Sequence, residues 1–218
     1  MNKPMLPVWA NLTSPAPDSC GATSTDVSSS TISLLLARIE TLRAENKRLK
    51  HLATTDPVTG IPNRHAMECR LARLAEGEPR VEAQALCLAD FDDFKAYNDH
   101  YGHLQGDRAL GILAHTIAAH LPTPDDQVYR AGGDEFCFVF NAASRARAQR
   151  VVAAVRGALH TLRLPHAAGK KSIVTASFGC SWLPGHASVD DRRATLLTRA
   201  DAALYRAKDA GRDQISMA

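Results

Sequence analysis

Two short acidic stretches carry the side chains with the most chemistry to offer. Asp90, Asp92 and Asp93 follow at once on the apolar run "ALCLA", and Asp134 and Glu135 stand at the tip of a Gly-Gly turn inside "RAGGDEFCFVF", residues 130–140. If the two runs are strands paired side by side, carboxylates from two strand ends converge. Converging hard oxygen donors suit Mg²⁺, which keeps several waters and takes phosphate oxygens as its remaining ligands. Two such ions can clamp the attacking and leaving oxygens of a phosphoryl transfer. The plainer alternative is a solvated hairpin turn.

The stretch "DFDDFKAYNDHYGHLQGD", residues 90–107, adds further parts. A helix starting near Asp92 or Asp93 would turn its free backbone N–H groups toward a phosphate, and Lys95 supplies a cation nearby. Asn98 and Asp107 are suited to reading a base, because Asp107 can accept from the N1–H and the exocyclic amine of guanine. Other residues are given structural readings. Asp92 and Asp93 also suit a helix start. His100 and His103 have no third ligand near in sequence. Trp182 and Tyr129 read as packing residues, and Asp201 and Tyr205 as internal packing of the last helix. The basic run "RARAQR" reads as a solvated helix face.

The elements that must position these groups alternate in type. Ile32, Leu35, Ile39, Leu42, Asn46, Leu49 and Ala53 follow a 3-4 spacing, an a/d seam of about three heptads that predicts a dimeric coiled coil. "TTDPVTGIPNR" breaks that helix, and Pro62 and Asn63 open the next. A buried strand at "ALCLADF" is followed by a helix with Leu110, Leu113, Ile117 and Leu121 on one face. A hairpin "QVYRAGGDEFCFVF" comes next, with Phe136, Phe138 and Phe140 alternating. Residues 143–163 form a helix with Val152, Val155, Leu159 and Leu162 aligned. "SIVTASFGCSW" is a strand, and "ATLLTRADAALYRAKDAG" is a helix ended by Gly211. The chain therefore divides into a disordered segment 1–30, a coiled-coil helix 31–53 and one α/β (α+β) domain 54–218.

Composition narrows the class. A chain of 218 residues with a net charge of +3 and dispersed basic residues has no stripe for nucleic acid. Five cysteines lie far apart, and Cys87, Cys137 and Cys180 sit in apolar runs as core residues of a reducing compartment. The N-terminus lacks the long apolar run of a signal peptide, and no stretch approaches the ~20 apolar residues of a membrane span. The expectation is a soluble cytoplasmic protein with no nucleic-acid and no membrane partner.

The motifs together resemble the GGDEF family of diguanylate cyclases. "DPVTGIPNR", "DFDDFKAYNDHYGHLQGD", "AGGDEF" and "ADAALYRAKDAGRDQI" are similar to that family's blocks in the family's order. The resemblance implies a five-stranded, mostly antiparallel sheet flanked by helices, related to the nucleotidyl cyclase and polymerase palm fold. It implies Mg²⁺- or Mn²⁺-dependent condensation of two GTP into cyclic di-GMP and two pyrophosphates, at the interface of a homodimer. Asp90, Asp134 and the backbone carbonyl of Phe91 would hold metal, with Glu135 as a further metal ligand or as base for the 3′-hydroxyl. Asn98 and Asp107 would read guanine, while Lys95, Lys208 and Arg212 hold phosphates. The four-residue step from Lys208 to Arg212 fits one face of a helix end. Asp93, Phe94, Gly132 and Gly133 complete the GTP-binding set, the glycines by letting the backbone turn tightly and leaving room for the nucleotide. The family's product-inhibition motif, Arg-x-x-Asp, falls on "TPDD", where Thr123 stands in place of Arg. The alternative reading is a catalytically inactive GTP-binding regulatory module.

Overall fold

The computed structural model describes residues 29–75, 83–185 and 189–218. Residues 1–28, most of the segment expected to be disordered, lie outside that range. The chain divides into two units, one through Asn46 and one from Lys47. Helix α1 (Ser29–Thr54) carries the predicted seam, and Ile32, Leu35, Ile39, Leu42 and Leu49 are all exposed on it.

The second unit is built on one sheet. Its strands are β1 (Gln84–Phe91), β2 (Gln127–Arg130), β3 (Glu135–Asn141), β4 (Ala176–Leu183) and β5 (Ile215–Met217). The spatial order is β2-β3-β1-β4-β5, antiparallel throughout except for the parallel β4–β5 pair. Helices α2 (Arg64–Ala75), α3 (Phe94–Tyr101), α4 (His103–Ala119), α5 (Arg145–Leu162) and α6 (Val189–Asp209) complete the unit. Among the described residues no helix is long and apolar enough to cross a membrane.

Alternation along the strands sorts the side chains into two cores. Cys87, Phe91, Phe136, Phe138, Phe178 and Cys180 pack with Leu110, Leu113 and Ile117 of α4 and Val152, Val155 and Leu159 of α5. Leu86, Cys137 and Val139 point the other way, to Met67 and Leu71 of α2 and Leu196 and Ala200 of α6. Strand β1 is apolar on both faces because it is covered on both, which is why it reads as a continuous run.

Local chemistry sets the element ends. Asn63 Oδ1 accepts from the Ala66 N–H, so Asn63 opens α2 as expected, and Ser144 Oγ caps α5 through the Arg147 N–H. Gly211, at φ 108°, ends α6 as expected. Three expectations are corrected. The fourth strand begins at Ala176, because Ser172 has φ 55° and the chain before it makes only a single bridge, Pro165 to Ile173. Leu162 is exposed, because it ends α5 beyond the sheet-facing stripe. Asp201 and Tyr205 do not pack inside: both are exposed, Tyr205 by 72%, because the buried stripe of α6 runs through Leu196, Ala200, Ala203, Leu204 and Ala207.

The α6 helix lies almost on the backbone of β4. A Cβ at Gly179 would meet Leu204 N at 2.1 Å and Ala200 O at 2.2 Å. Neither atom can move without shifting the helix. Gly179→Ala should therefore cost about 3 kcal/mol or more, whereas Gly157→Ala, on exposed α5 backbone with open space around it, should be neutral or stabilising by up to about 1 kcal/mol. Urea unfolding of the two variants measures the difference; equal stabilities would refute the close packing.

Candidate active site

The strand β1 ends in the first acids. Asp90 is opposite Glu135 across the β1–β3 pairing and opposite Ser177 across β1–β4. Directly opposed residues put their side chains on one face of the sheet, with Cβ atoms about 5 Å apart. Asp90 is largely buried, Asp134 half-buried and Glu135 exposed. The Phe91 N–H donates to Asp134 O at 3.1 Å, so the tip of the hairpin is laid directly on the end of β1.

The hairpin itself is held by an arginine the sequence reading did not single out. Arg130 Nη1 donates to both carboxylate oxygens of Asp56, at 2.9 and 3.1 Å, and its Nε and Nη2 donate to Gly133 O at 3.2 and 2.7 Å. Asp56 also accepts from the Thr59 N–H and hydroxyl. Burial pushes the Asp56 carboxyl up, but the Thr59 and Arg130 bonds outweigh it and leave it below its ordinary value.

The glycines act differently from the expectation. Neither Gly132 nor Gly133 has a positive φ, so the turn does not need glycine for its backbone angles. A Cβ at Gly132 would lie 2.8 Å from Glu135 Oε2, the end of an exposed side chain that can swing away, whereas Gly133 faces open space.

After Phe91 the chain turns into α3. Asp93 occupies the N-cap position with φ 57° but makes no capping bond; its Oδ1 is instead 3.5 Å from Arg212 Nε. Asp93 thus starts the helix as expected, through its carbonyl, which accepts from the Tyr97 N–H, whereas Asp92 is not a helix-start residue. It is 3% exposed and points into the protein, where it accepts from the Thr175 and Ser177 hydroxyls at 2.7 and 2.6 Å. Lys95 is exposed on the first turn of α3, beside half-buried Phe94. Further along α3, the Asn98 Oδ1 is buried and has no hydrogen-bond partner. A Cβ at Gly106 would lie 1.8 Å from that oxygen and 3.2 Å from the Phe94 ring. Gly106 therefore makes the space in which the carboxamide sits, and exposed Asp107 follows it. A buried acceptor without a partner costs about 1–3 kcal/mol, which a base edge offering an N–H would recover.

The end of α6 supplies cations. Lys208 Nζ is 2.7 Å from Asp90 Oδ2. Burial pushes the Asp90 carboxyl up; Lys208 opposes this, Asp134 and Glu135 add to it, and the result is about 6. Burial is the main cause, and the neighbouring acids add to it. Among the described residues no three His, Cys, Asp or Glu side chains form a ready-made metal cage. Mg²⁺ does not require such a cage, since it uses one or two carboxylates and completes its shell with water and phosphate. His100 and His103 likewise belong to no such cluster, and His100 packs on Tyr101. Trp182 and Tyr129 are packing residues, as expected, with Nε1–H and O–H bonded to Ala142 O and Gln127 Oε1. A groove of about 1010 Å³ lies elsewhere, between α4 and α5; it is apolar and contains none of these acids.

Comparison with known proteins gives a consistent result. Residues 53–214 match the family described as "Diguanylate cyclase, GGDEF domain". The chain is 35% identical over 175 residues to diguanylate cyclase DgcP of Pseudomonas aeruginosa, covering 80% of this chain and 25% of that protein. It is also 35% identical over 173 residues to cyclic di-GMP phosphodiesterase PdeR of Escherichia coli, covering 79% of this chain and 25% of that one. Against these curated relatives the chain spans about a quarter of their length. Among solved structures, the coiled coil and GGDEF domain of DgcB from Caulobacter crescentus, in complex with c-di-GMP, superimposes with a TM-score of 0.74 at 27% identity, covering 87% of this chain and 98% of that one.

The Asp90 value carries a pH dependence. Between its ordinary 3.8 and about 6 the folded chain holds a proton that the unfolded chain has released. In that window, stability of the metal-free chain falls as pH rises. A divalent cation held by Asp90 would need the carboxylate and would run the other way, so Mn²⁺ affinity should drop about tenfold between pH 7.5 and pH 5. Mn²⁺ titration followed by paramagnetic relaxation measures this; a flat profile would remove Asp90 from the cation site.

Proposed function

The chain belongs to the GGDEF domain family of diguanylate cyclases, and from that premise we propose that it condenses two GTP molecules into cyclic di-GMP with release of two pyrophosphates. The observation that carries this reading is the register that sets Asp90 opposite Glu135, with both family acids of the hairpin present. An inactive regulatory module usually carries a degenerate signature, and here the signature is intact.

In this reading Asp90, Asp134, Glu135 and the Phe91 carbonyl hold Mg²⁺, with Mn²⁺ as a substitute. When bound, the cation neutralises charge building on the phosphoryl oxygens. Asn98 and Asp107 read the guanine edge, and the orphan Oδ1 of Asn98 supports that role. Lys95, Lys208 and Arg212 take the phosphates, assisted by Asp93 and Phe94 at the start of α3. Gly132 leaves Glu135 its space, and Gly133 leaves the nucleotide its own. In each half-reaction a 3′-oxygen forms a bond to the α-phosphorus of the other GTP and the bond to pyrophosphate breaks. The 3′-hydroxyl proton leaves toward Glu135 or toward solvent, according to whether Glu135 acts as base or as metal ligand.

Incubation with GTP and Mg²⁺, with nucleotides resolved by chromatography, tests the activity. Wild type should make cyclic di-GMP from GTP and leave ATP unused, since adenine would face the Asp107 carboxylate with an acceptor; discrimination should exceed about 10³-fold. Glu135→Gln should keep its fold and most of its GTP affinity while losing more than nine-tenths of turnover. With Thr123 in place of the motif arginine, progress curves should stay nearly linear as product accumulates. Retained turnover in Glu135→Gln, or equal use of ATP, would overturn the assignment.

Each domain binds one GTP, so the product requires two domains with facing sites. The exposed stripe from Ile32 to Leu49 on α1 supports a parallel coiled-coil homodimer, with Asn46 at an a position fixing register. Such a tether raises the effective concentration of one site near the other to about millimolar. Removing residues 1–53 should leave a folded domain that binds GTP but loses activity per mole at nanomolar protein. Turnover against concentration, alongside sedimentation, checks this; equal nanomolar activity of the shortened chain would refute the coil's role.

A further inference from the structure

Three acids at the end of β1 each hold one residue of the segment that closes α6. Asp90 holds Lys208, Asp93 holds Arg212, and Asp92 Oδ2 accepts from the backbone N–H of Asp213 at 3.0 Å. The outer two contacts are ion pairs of half-exposed cations, free to exchange a carboxylate for a phosphate. The middle contact differs. Asp92 and Asp213 are 3% and 2% exposed, and every donor to Asp92 comes from strand β4, its approach, or main chain. The Asp92 N–H itself donates to Thr175 O at 3.0 Å.

The segment it anchors is under backbone strain. Arg212 and Asp213 have φ of 65° and 50°, a region that side chains other than glycine occupy at a cost. Such angles persist only where surrounding contacts over-determine them. Here Asp213 is fixed from outside by Arg156 Nε, His160 Nε2 and Lys171 Nζ at 2.8, 2.7 and 2.5 Å, and from beneath by Asp92.

We propose that Asp92 is a positioning residue for the triphosphate: by pinning the Asp213 amide it fixes the left-handed turn that aims Arg212 and sets Lys208 over the strand end. This rests on the reading of Lys208 and Arg212 as phosphate-holding residues. Asp92 touches no substrate. An asparagine could keep its oxygen on Thr175 and the Asp213 amide and donate its NH₂ to the Ser177 hydroxyl, so what the carboxylate adds is charge, which strengthens the bond to the Asp213 amide. The grip on the phosphates is made in the ground state as well as in the transition state, so its loss weakens binding more than it slows chemistry.

The test uses the full chain and a GTP analogue with a methylene bridge between the α and β phosphates, titrated with Mg²⁺ present. Asp92→Asn should weaken analogue binding about tenfold or more, the worth of a hydrogen bond to a charged group, with kcat at saturating GTP nearly unchanged. Thr175→Val, which removes one donor to Asp92 at constant shape, should weaken it less, about threefold. Ser181→Ala is the control for stability alone, because its buried hydroxyl, on β4, donates to Leu196 O of α6 at 2.6 Å, away from the Asp92 contacts. It should lower Tm without changing affinity. If Asp92→Asn or Thr175→Val lowers Tm and leaves affinity at the wild-type value, Asp92 only holds the fold and the proposal is overturned. Should Asp92→Asn not fold, Thr175→Val decides between these outcomes. A wild-type chain that binds no analogue would overturn the GTP reading itself, and the proposal with it.

Discussion

Strand β1 is paired along both edges, and its register on β3 and β4 sets Asp90 opposite both Glu135 and Ser177. A slip of one residue would turn Asp90 away from Glu135 and bring Leu86 into the core that Cys87 occupies. Both faces resist that slip, since Leu86 and Cys87 belong to different cores and each is fully buried. Packing the sheet between α4 and α5 on one side and α2 and α6 on the other therefore aims the acids. The close approach of α6 at Gly179 extends the same constraint to Lys208, since a helix fixed on β4 brings its last turn back to the end of β1.

The acids at that end are compensated in unequal ways. Asp92 is satisfied by two hydroxyls and a backbone amide, with no ion pair among the described residues. Asp56 is satisfied by the Arg130 fork, which also ties down Gly133 and with it the hairpin tip. These are contacts of buried groups, and they hold shape. Asp90 and Asp93 are matched instead by the half-exposed side chains of Lys208 and Arg212. Side chains of that kind change rotamer in nanoseconds or less. The site thus combines a fixed backbone frame with mobile charges, and the raised value of Asp90 marks the carboxylate that burial penalises most among them. Binding an anionic nucleotide and a divalent cation together would exchange these internal pairs for external ones without uncovering a charge.

The periodicity of the sequence determined the elements, because burial on one stripe of a helix or on alternate residues of a strand must be written locally. It likewise determined the acidic hairpin, the apolar seam of α1 and the capping residues Asn63, Ser144 and Gly211, which act on neighbours a few residues away. The stretch from Asp90 to Asp107 was legible as a site because its groups lie within one strand-to-helix connection. Gly106 could have been found there, since a glycine inside a helical pattern costs about 1 kcal/mol and needs a reason. The reason, the space for Asn98 Oδ1, is a contact one helix away.

Tertiary structure alone decided the rest. Arg130 meets Asp56 across 74 residues, Ser177 meets Asp92 across 85, and Asp213 meets Asp92 across 121. No local pattern announces such partners. Asp92 and Asp93 are adjacent and chemically identical, and both suit a helix start by residue type. The fold buries one as a hydrogen-bond hub and leaves the other facing Arg212. The glycines of the hairpin show the same division. Their presence is plain in the sequence, but that neither sits in a left-handed turn, and that Gly132 lies beside the Glu135 side chain, follows from coordinates in three dimensions. Sequence specifies what each residue can do chemically; which of those capacities is used depends on the groups that packing brings within 3 Å.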